Sequence, residues 1–270
     1  MINEQRALNE FFELVRIKCS SRAEREVADV VKAKLSALGF EVTEDAVGDK
    51  IGGNAGNIIG YLKGNRSNAP VVMLSAHLDC VEPCDSIKPK LENGVITSSG
   101  NTILGGDDKV GVVSILEALR TLQDNKIEHG DIQVVLTVAE ECGLQGVKHM
   151  DPKLLKANFG YILDGGELGE INDAQPGQNS LKIIIRGKTA HAGVAPEEGI
   201  NAIMVAGKAL AELKQGRIDP ETTANVGIIK GGTATNIVPD YVELALEARS
   251  RNVQKLEAQT KSMVETFQRV

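Results

Sequence analysis

The sequence predicts an α/β domain, a mostly parallel sheet flanked by helices, followed by a smaller α+β domain. Three runs, "APVVMLSA" at 69–76, "DIQVVLTVA" at 131–139 and "FGYILD" at 159–164, are almost continuously apolar. That is the pattern of strands buried on both faces of a parallel sheet. Between the first two, "KVGVVSILEALRTL" at 109–122 carries apolar residues at helical spacing and fits a crossover helix. After "AQPGQNS" at 174–180 the order changes to strand, helix, strand, strand, helix, a split β-α-β unit without its last strand.

In chain order, residues 4–18 and 22–38 read as helices; the second opens on a capping box, Ser21 to Glu24, and stops at Gly39. "NIIGYL" at 57–62 adds a strand before the apolar runs. Beyond the change of character, strands are predicted at 181–186, 224–230 and 238–247, with helices at 199–214 and from 252 to the end. The predicted domains are 1–176 and 177–270. The last helix has no Gly or Pro stop, so the sequence is expected to be the front part of a longer protein.

Composition narrows the function. With 42% hydrophobic residues the chain can bury a core, and it holds no apolar run of the roughly 18 residues a membrane span needs. "MINEQRALNEFFELV" reads as an acidic first helix, not a signal, so the expected location is the cytoplasm. Cys19, Cys80, Cys84 and Cys142 then read as thiols, and Cys80 with Cys84 lacks the second pair that a zinc site would need. A net charge of −7, no Trp and 3% aromatic residues argue against nucleic acid. Small molecules or cations are the expected partners.

The chemistry lies where the apolar runs end, since ligands of open parallel sheets bind outside the carboxyl ends of the strands. The first run leads into His77 and Asp79, the second into Glu140 and Glu141, and the third ends in Asp164. Asp107 and Asp108 lie in the glycine-rich loop that enters the crossover helix. Each alone reads as an ordinary strand-end or helix-start residue. Together they put several carboxylates and one imidazole on one rim, a concentration of charge that divalent cations would neutralise. His77 and Asp79 share a strand face, so Asp79 can accept the second imidazole N–H and fix the tautomer. Glu140 and Glu141, if extended, point to opposite sides, one toward metal and one toward substrate as a general base. That divergence disfavours a glycosidase, whose two carboxyl groups face one another.

"SAHLD", "GGDDKVG", "AEECG" and "ILDGG", in that order, resemble the motif series of the dizinc metallopeptidases that include peptidase T, carboxypeptidase G and aminoacylase. The resemblance runs from about residue 5 to the end, and placement of the second domain after Asp164 favours the peptidase T-type arrangement. It implies a zinc-peptidase-like catalytic domain with an inserted ferredoxin-like lid and dimerisation domain. It implies two divalent ions, zinc with cobalt or manganese as alternatives. His77 and Asp164 would hold one, Glu141 the other, Asp107 would bridge them, and Asp79 would support His77. Glu140 would be the general base, and the bond from Asp107 to Asp108 is expected to be cis.

In the lid, "GKTAHAG" resembles the motif whose histidine, His191, stabilises the oxyanion. "GGTATNIVPD" supplies Asn236 as a substrate contact, and Arg249 either holds a substrate carboxylate or makes a surface ion pair. The implied activity is cleavage of short peptides by a tripeptidase-like aminopeptidase that dimerises through the lid. A deacylase of N-acyl amino acids is an alternative, and a non-catalytic metal-binding or dimerisation module is another. The family also completes its second zinc site with a histidine near the C-terminus; neither His129 nor His149 matches it. Cys80 and Cys142, soft enough for zinc, read more simply as small buried residues.

Overall fold

The computed structural model describes residues 1–270 and divides them into two compact units, Met1–Glu167 and Leu168–Val270. The first contains α1 (Glu4–Val15), α2 (Arg25–Ala37), β1 (Glu41–Glu44), α3 (Val47–Ile51), β2 (Ile58–Leu62) and β3 (Val72–His77). It continues with the hairpin β4 (Pro89–Glu92) and β5 (Val95–Ser98), then α4 (Gly106–Asp124), β6 (Ile132–Thr137), α5 (Gln145–His149) and β7 (Phe159–Ile162).

Five strands form a mixed sheet in the order β1-β2-β6-β3-β7. The pairs of β3 with β6 and with β7 are parallel, whereas β1 with β2 and β2 with β6 are antiparallel. The connection 63–71 explains why β2 runs against β3: it is too short for the crossover that a parallel partner requires. Burial follows sequence pattern in the centre, where Val134 and Leu136 of β6 pack among Val31 and Leu35 of α2 and Leu116 and Leu119 of α4. Each such Leu contributes roughly 1.5–3 kcal/mol on transfer from water. Strand β7 departs from expectation. Phe159, Tyr161 and Ile162 are exposed, not buried on both faces; β7 lies at the edge of the sheet, paired only with β3, beyond the central strands whose faces the helices cover.

The second unit contains β8 (Gly177–Arg186), α6 (Ala202–Glu212), β9 (Gly216–Asp219), β10 (Thr222–Gly231), β11 (Tyr241–Ser250) and α7 (Val253–Arg269). Its sheet, in the order β8-β11-β10-β9, is antiparallel throughout. Alternate β11 residues Val242, Leu244, Leu246 and Ala248 are buried in a core shared with α6 and α7. The short β9 was not expected; "GRID" is too brief and polar to read as a strand, and it forms only by pairing with β10. No helix is long and apolar enough to cross a membrane.

Candidate active site

Strand β3 delivers His77 at its last position and Asp79 just beyond it, both buried. The imidazole lies between two carboxylates: Nε2 is 3.0 Å from Asp107 Oδ1, and Nδ1 is 3.3 Å from Asp79 Oδ1. The second contact is off the line of a hydrogen bond, so buried Nδ1 has no well-aligned partner.

Asp107 and Asp108 occupy the start of α4 with non-helical backbone, and the bond between them is cis, as the motif resemblance implied. They face different tasks. Asp108 is buried, and its two oxygens accept the backbone N–H groups of His77 at 3.1 Å and Gly111 at 3.0 Å. Asp107 is exposed, with an oxygen directed at His77. Gly111 is required by close approach: a Cβ there would stand 2.3 Å from Asp108 Oδ1 and 2.4 Å from the Leu163 carbonyl. Behind the loop, the fully buried Lys109 donates to the Leu78 carbonyl at 2.5 Å and to Cys80 Sγ at 3.3 Å.

Strand β6 ends at Thr137, and Ala139 takes a left-handed φ of 52°. Glu140 and Glu141 therefore do not alternate across an extended strand, as the sequence suggested. Both bring a carboxylate oxygen to His77, the ligating atoms of all three lying within 4.8 Å of one another. A second group within the same span is His77, Asp108 and Asp164. Asp79 accepts the N–H of Glu140 at 2.9 Å and that of Glu141 at 3.1 Å, so one carboxylate addresses the imidazole and both glutamates.

The electrostatics match a cation site. Burial alone would lower the His77 imidazole, but Asp79 and Asp107 carry it up to about 9. Burial pushes Asp108 up to about 7. Glu140 and Glu141 are also raised, first by burial and then by neighbouring carboxylates, with His77 opposing. An imidazole nitrogen ringed by carboxylate oxygens suits zinc, cobalt or manganese, and a bound cation would relieve the repulsion that these shifts record. The residues present thus fit a divalent metal.

The remaining predicted residues belong to the second unit. His191 is exposed, pairs in an isolated bridge with Ile237, and its Nδ1 accepts the Gly193 N–H at 3.2 Å. Asn236 is exposed, and its carbonyl accepts the Ala192 N–H at 2.9 Å. Arg249, on β11, pairs with Glu247 of the same strand at 3.0 Å.

Two further sequence readings are overturned. Ser21 and Glu24 do not form a capping box: the N-cap of α2 is Glu24, and its side chain caps nothing. Ser21 Oγ instead donates to Asp79 Oδ2 at 2.6 Å, and Glu24 Oε1 accepts the Ala139 N–H at 2.9 Å. Their polar groups are drawn off by acceptors and donors far along the chain, which local spacing could not show. Cys142 is exposed, not buried, because it follows the turn out of β6. Asn57 was also missed; it is fully buried, and its only sequence signal is a polar residue opening an apolar strand.

Comparison with known proteins bears on this arrangement. A family model described as "Peptidase family M28" matches residues 57–179, and one described as "Peptidase dimerisation domain" matches 174–270. The Bacillus subtilis protein YqjE is 46% identical over 269 residues, covering 99% of this chain and 72% of that protein. The crystal structure of aminopeptidase PepT from Bacillus cereus superposes with a TM-score of 0.94 at 47% identity, over 98% of this chain and 72% of that one. The chain belongs to the metallopeptidase family that includes peptidase T. A tripeptidase from Staphylococcus aureus is a further peptidase T-like neighbour, with a TM-score of 0.95, 42% identity, and 99% and 72% coverage. Peptidases of this family are metal-dependent, which agrees with the donor set around His77.

Proposed function

We propose that this protein hydrolyses peptide bonds in a metal-dependent reaction, as an aminopeptidase acting on short peptides of the tripeptide class. The observation that carries the reading is the convergence of Glu140 and Glu141 on His77, whose Nε2 also meets Asp107. In this reading His77 and Asp164 would hold one zinc, Glu141 would hold the other, and Asp107 would serve both. Such a pair supplies Lewis acidity and an acidified water. Asp79 orients His77. Glu140, raised by burial, takes a proton from the attacking water at its carboxylate oxygen and returns it to the leaving amine nitrogen.

His191 as an oxyanion donor and Asn236 as a substrate contact are assigned on their motifs; Arg249 is assigned as a further substrate contact that would exchange its pair with Glu247 for a substrate carboxylate. The proposal includes a catalytic domain over 1–176, a lid over 177–270 and a homodimer through that lid, supported by the dimerisation-domain match. A cytoplasmic location is supported by four free thiols. The two structural neighbours, an aminopeptidase and a tripeptidase, favour peptides over N-acyl amino acids. A panel of free-amine tripeptides and N-blocked amino acids, assayed with zinc, cobalt or manganese, tests this. Preferential cleavage of the tripeptides is expected; preference for the blocked compounds would move the assignment to a deacylase.

A further inference from the structure

Four successive backbone N–H groups after β6 are each received by a side-chain oxygen. Val138 donates to Asn57 Oδ1 at 3.1 Å, Ala139 to Glu24 Oε1 at 2.9 Å, and Glu140 and Glu141 to the two oxygens of Asp79 at 2.9 and 3.1 Å. The three acceptor residues are each 0% exposed. This turn is where the chain enters the left-handed region at Ala139, a conformation an L-residue adopts only when its surroundings hold it.

Glu24 is the acceptor with the least other explanation. It leaves α2 uncapped, and besides Ala139 its Oε1 takes only the nearby Arg22 N–H, at 2.8 Å. Its Oε2 is buried without any partner. A buried carboxyl with one oxygen orphaned is a poor device for stability alone, because the unpaired oxygen loses its water and gains nothing. It is well suited to fixing one backbone position.

We infer that Glu24 is a positioning residue that holds the left-handed turn at Ala139 and thereby aims Glu140 and Glu141 at His77. This rests on the roles proposed above for the two glutamates. It acts by hydrogen-bond reach, not by charge, so an amide oxygen at the same distance replaces it and a shorter acid does not.

The test compares Glu24→Gln, Glu24→Asp and Glu24→Ala with the parent 270-residue chain. The readouts are zinc affinity by chelator competition and hydrogen exchange of the 139–141 amides. Leu35→Ala controls for general destabilisation, and Glu141→Ala for loss of a metal ligand. Glu24→Ala and Glu24→Asp are expected to weaken zinc affinity about 10–100-fold and to speed exchange of those amides at least about tenfold, with Glu24→Gln within about threefold of the parent. Leu35→Ala should leave affinity unchanged.

Parent-like exchange and affinity in Glu24→Asp, or a Glu24→Gln as impaired as Glu24→Ala, would overturn the inference even if Glu24→Ala fails to fold. Unchanged affinity in Glu141→Ala would instead overturn the metal-site reading. The amide exchange would still decide the hold that Glu24 has on Ala139.

Discussion

Asp79 Oδ1 accepts the backbone N–H of Glu140 at 2.9 Å while facing His77 Nδ1 at 3.3 Å. One buried carboxylate therefore couples the end of β3 to the turn after β6. Ser21 Oγ, 2.6 Å away, holds its other oxygen. The site is organised from behind, by groups that reach His77 and the glutamates without competing for a cation.

Replacing Asp79 should consequently disturb both sides at once. Asp79→Ala is expected to lower metal affinity or activity about 10–100-fold, as losses of groups that orient ligands generally do. Chelator competition and steady-state kinetics measure it, and Asp79→Asn, which keeps an acceptor, should fall between parent and Asp79→Ala.

Close packing behind the same turn gives a second prediction. A Cβ at Gly146 would stand 2.1 Å from the Val138 carbonyl and 2.6 Å from Asn57 Oδ1. Asn57 also donates to the Gly146 carbonyl at 3.0 Å, so the two segments cannot part without losing that bond. Gly146→Ala should destabilise the fold by about 1–3 kcal/mol, read by urea unfolding.

Acid stability depends on Glu44. Burial alone would raise its carboxyl, but Arg25 at 2.7 Å, the Gly56 N–H at 2.9 Å and Lys32 at 2.8 Å bring it from 4.5 down to about 2. A carboxyl depressed on folding stabilises fully above its unfolded value, and that contribution is lost as pH falls from about 4.5 toward 2. Glu44→Gln should cost about 1–2 kcal/mol at neutral pH after solvent screening, with a smaller gap at pH about 3. Urea unfolding of both proteins at the two pH values checks this.

Thiol reactivity separates the cysteines. Cys142 is exposed, whereas Cys19, Cys80 and Cys84 are buried. A chromogenic thiol reagent should titrate one thiol rapidly in the native protein and all four in denaturant.

Much of the fold was legible because its signals are local. The apolar runs marked β3 and β6, and helical spacing placed the regular part of α4 after Asp108. What escaped was set by distant partners. Glu24 looks like a cap from spacing alone, yet its bond goes to Ala139, far along the chain. The alternation argument for Glu140 and Glu141 assumed an extended strand, and the left-handed Ala139 cancels it. His77 and Glu141 stood out because polar residues after apolar runs are conspicuous, and Asp107 because a pair of acids in a glycine-rich loop is. Asn57 and Ser21 are small neutral residues; along the sequence one reads as a polar start to a strand and the other as a helix cap, and neither signal points to the site.

The most direct test of the central claim is hydrolysis of a free-amine tripeptide by zinc-loaded parent and Glu140→Gln, with zinc content measured on both. Metal-dependent cleavage by the parent is expected, reduced at least about 100-fold in Glu140→Gln at unchanged zinc content, as loss of a general base implies. Cleavage that survives Glu140→Gln, or a parent that binds zinc and cleaves no peptide, would contradict the account.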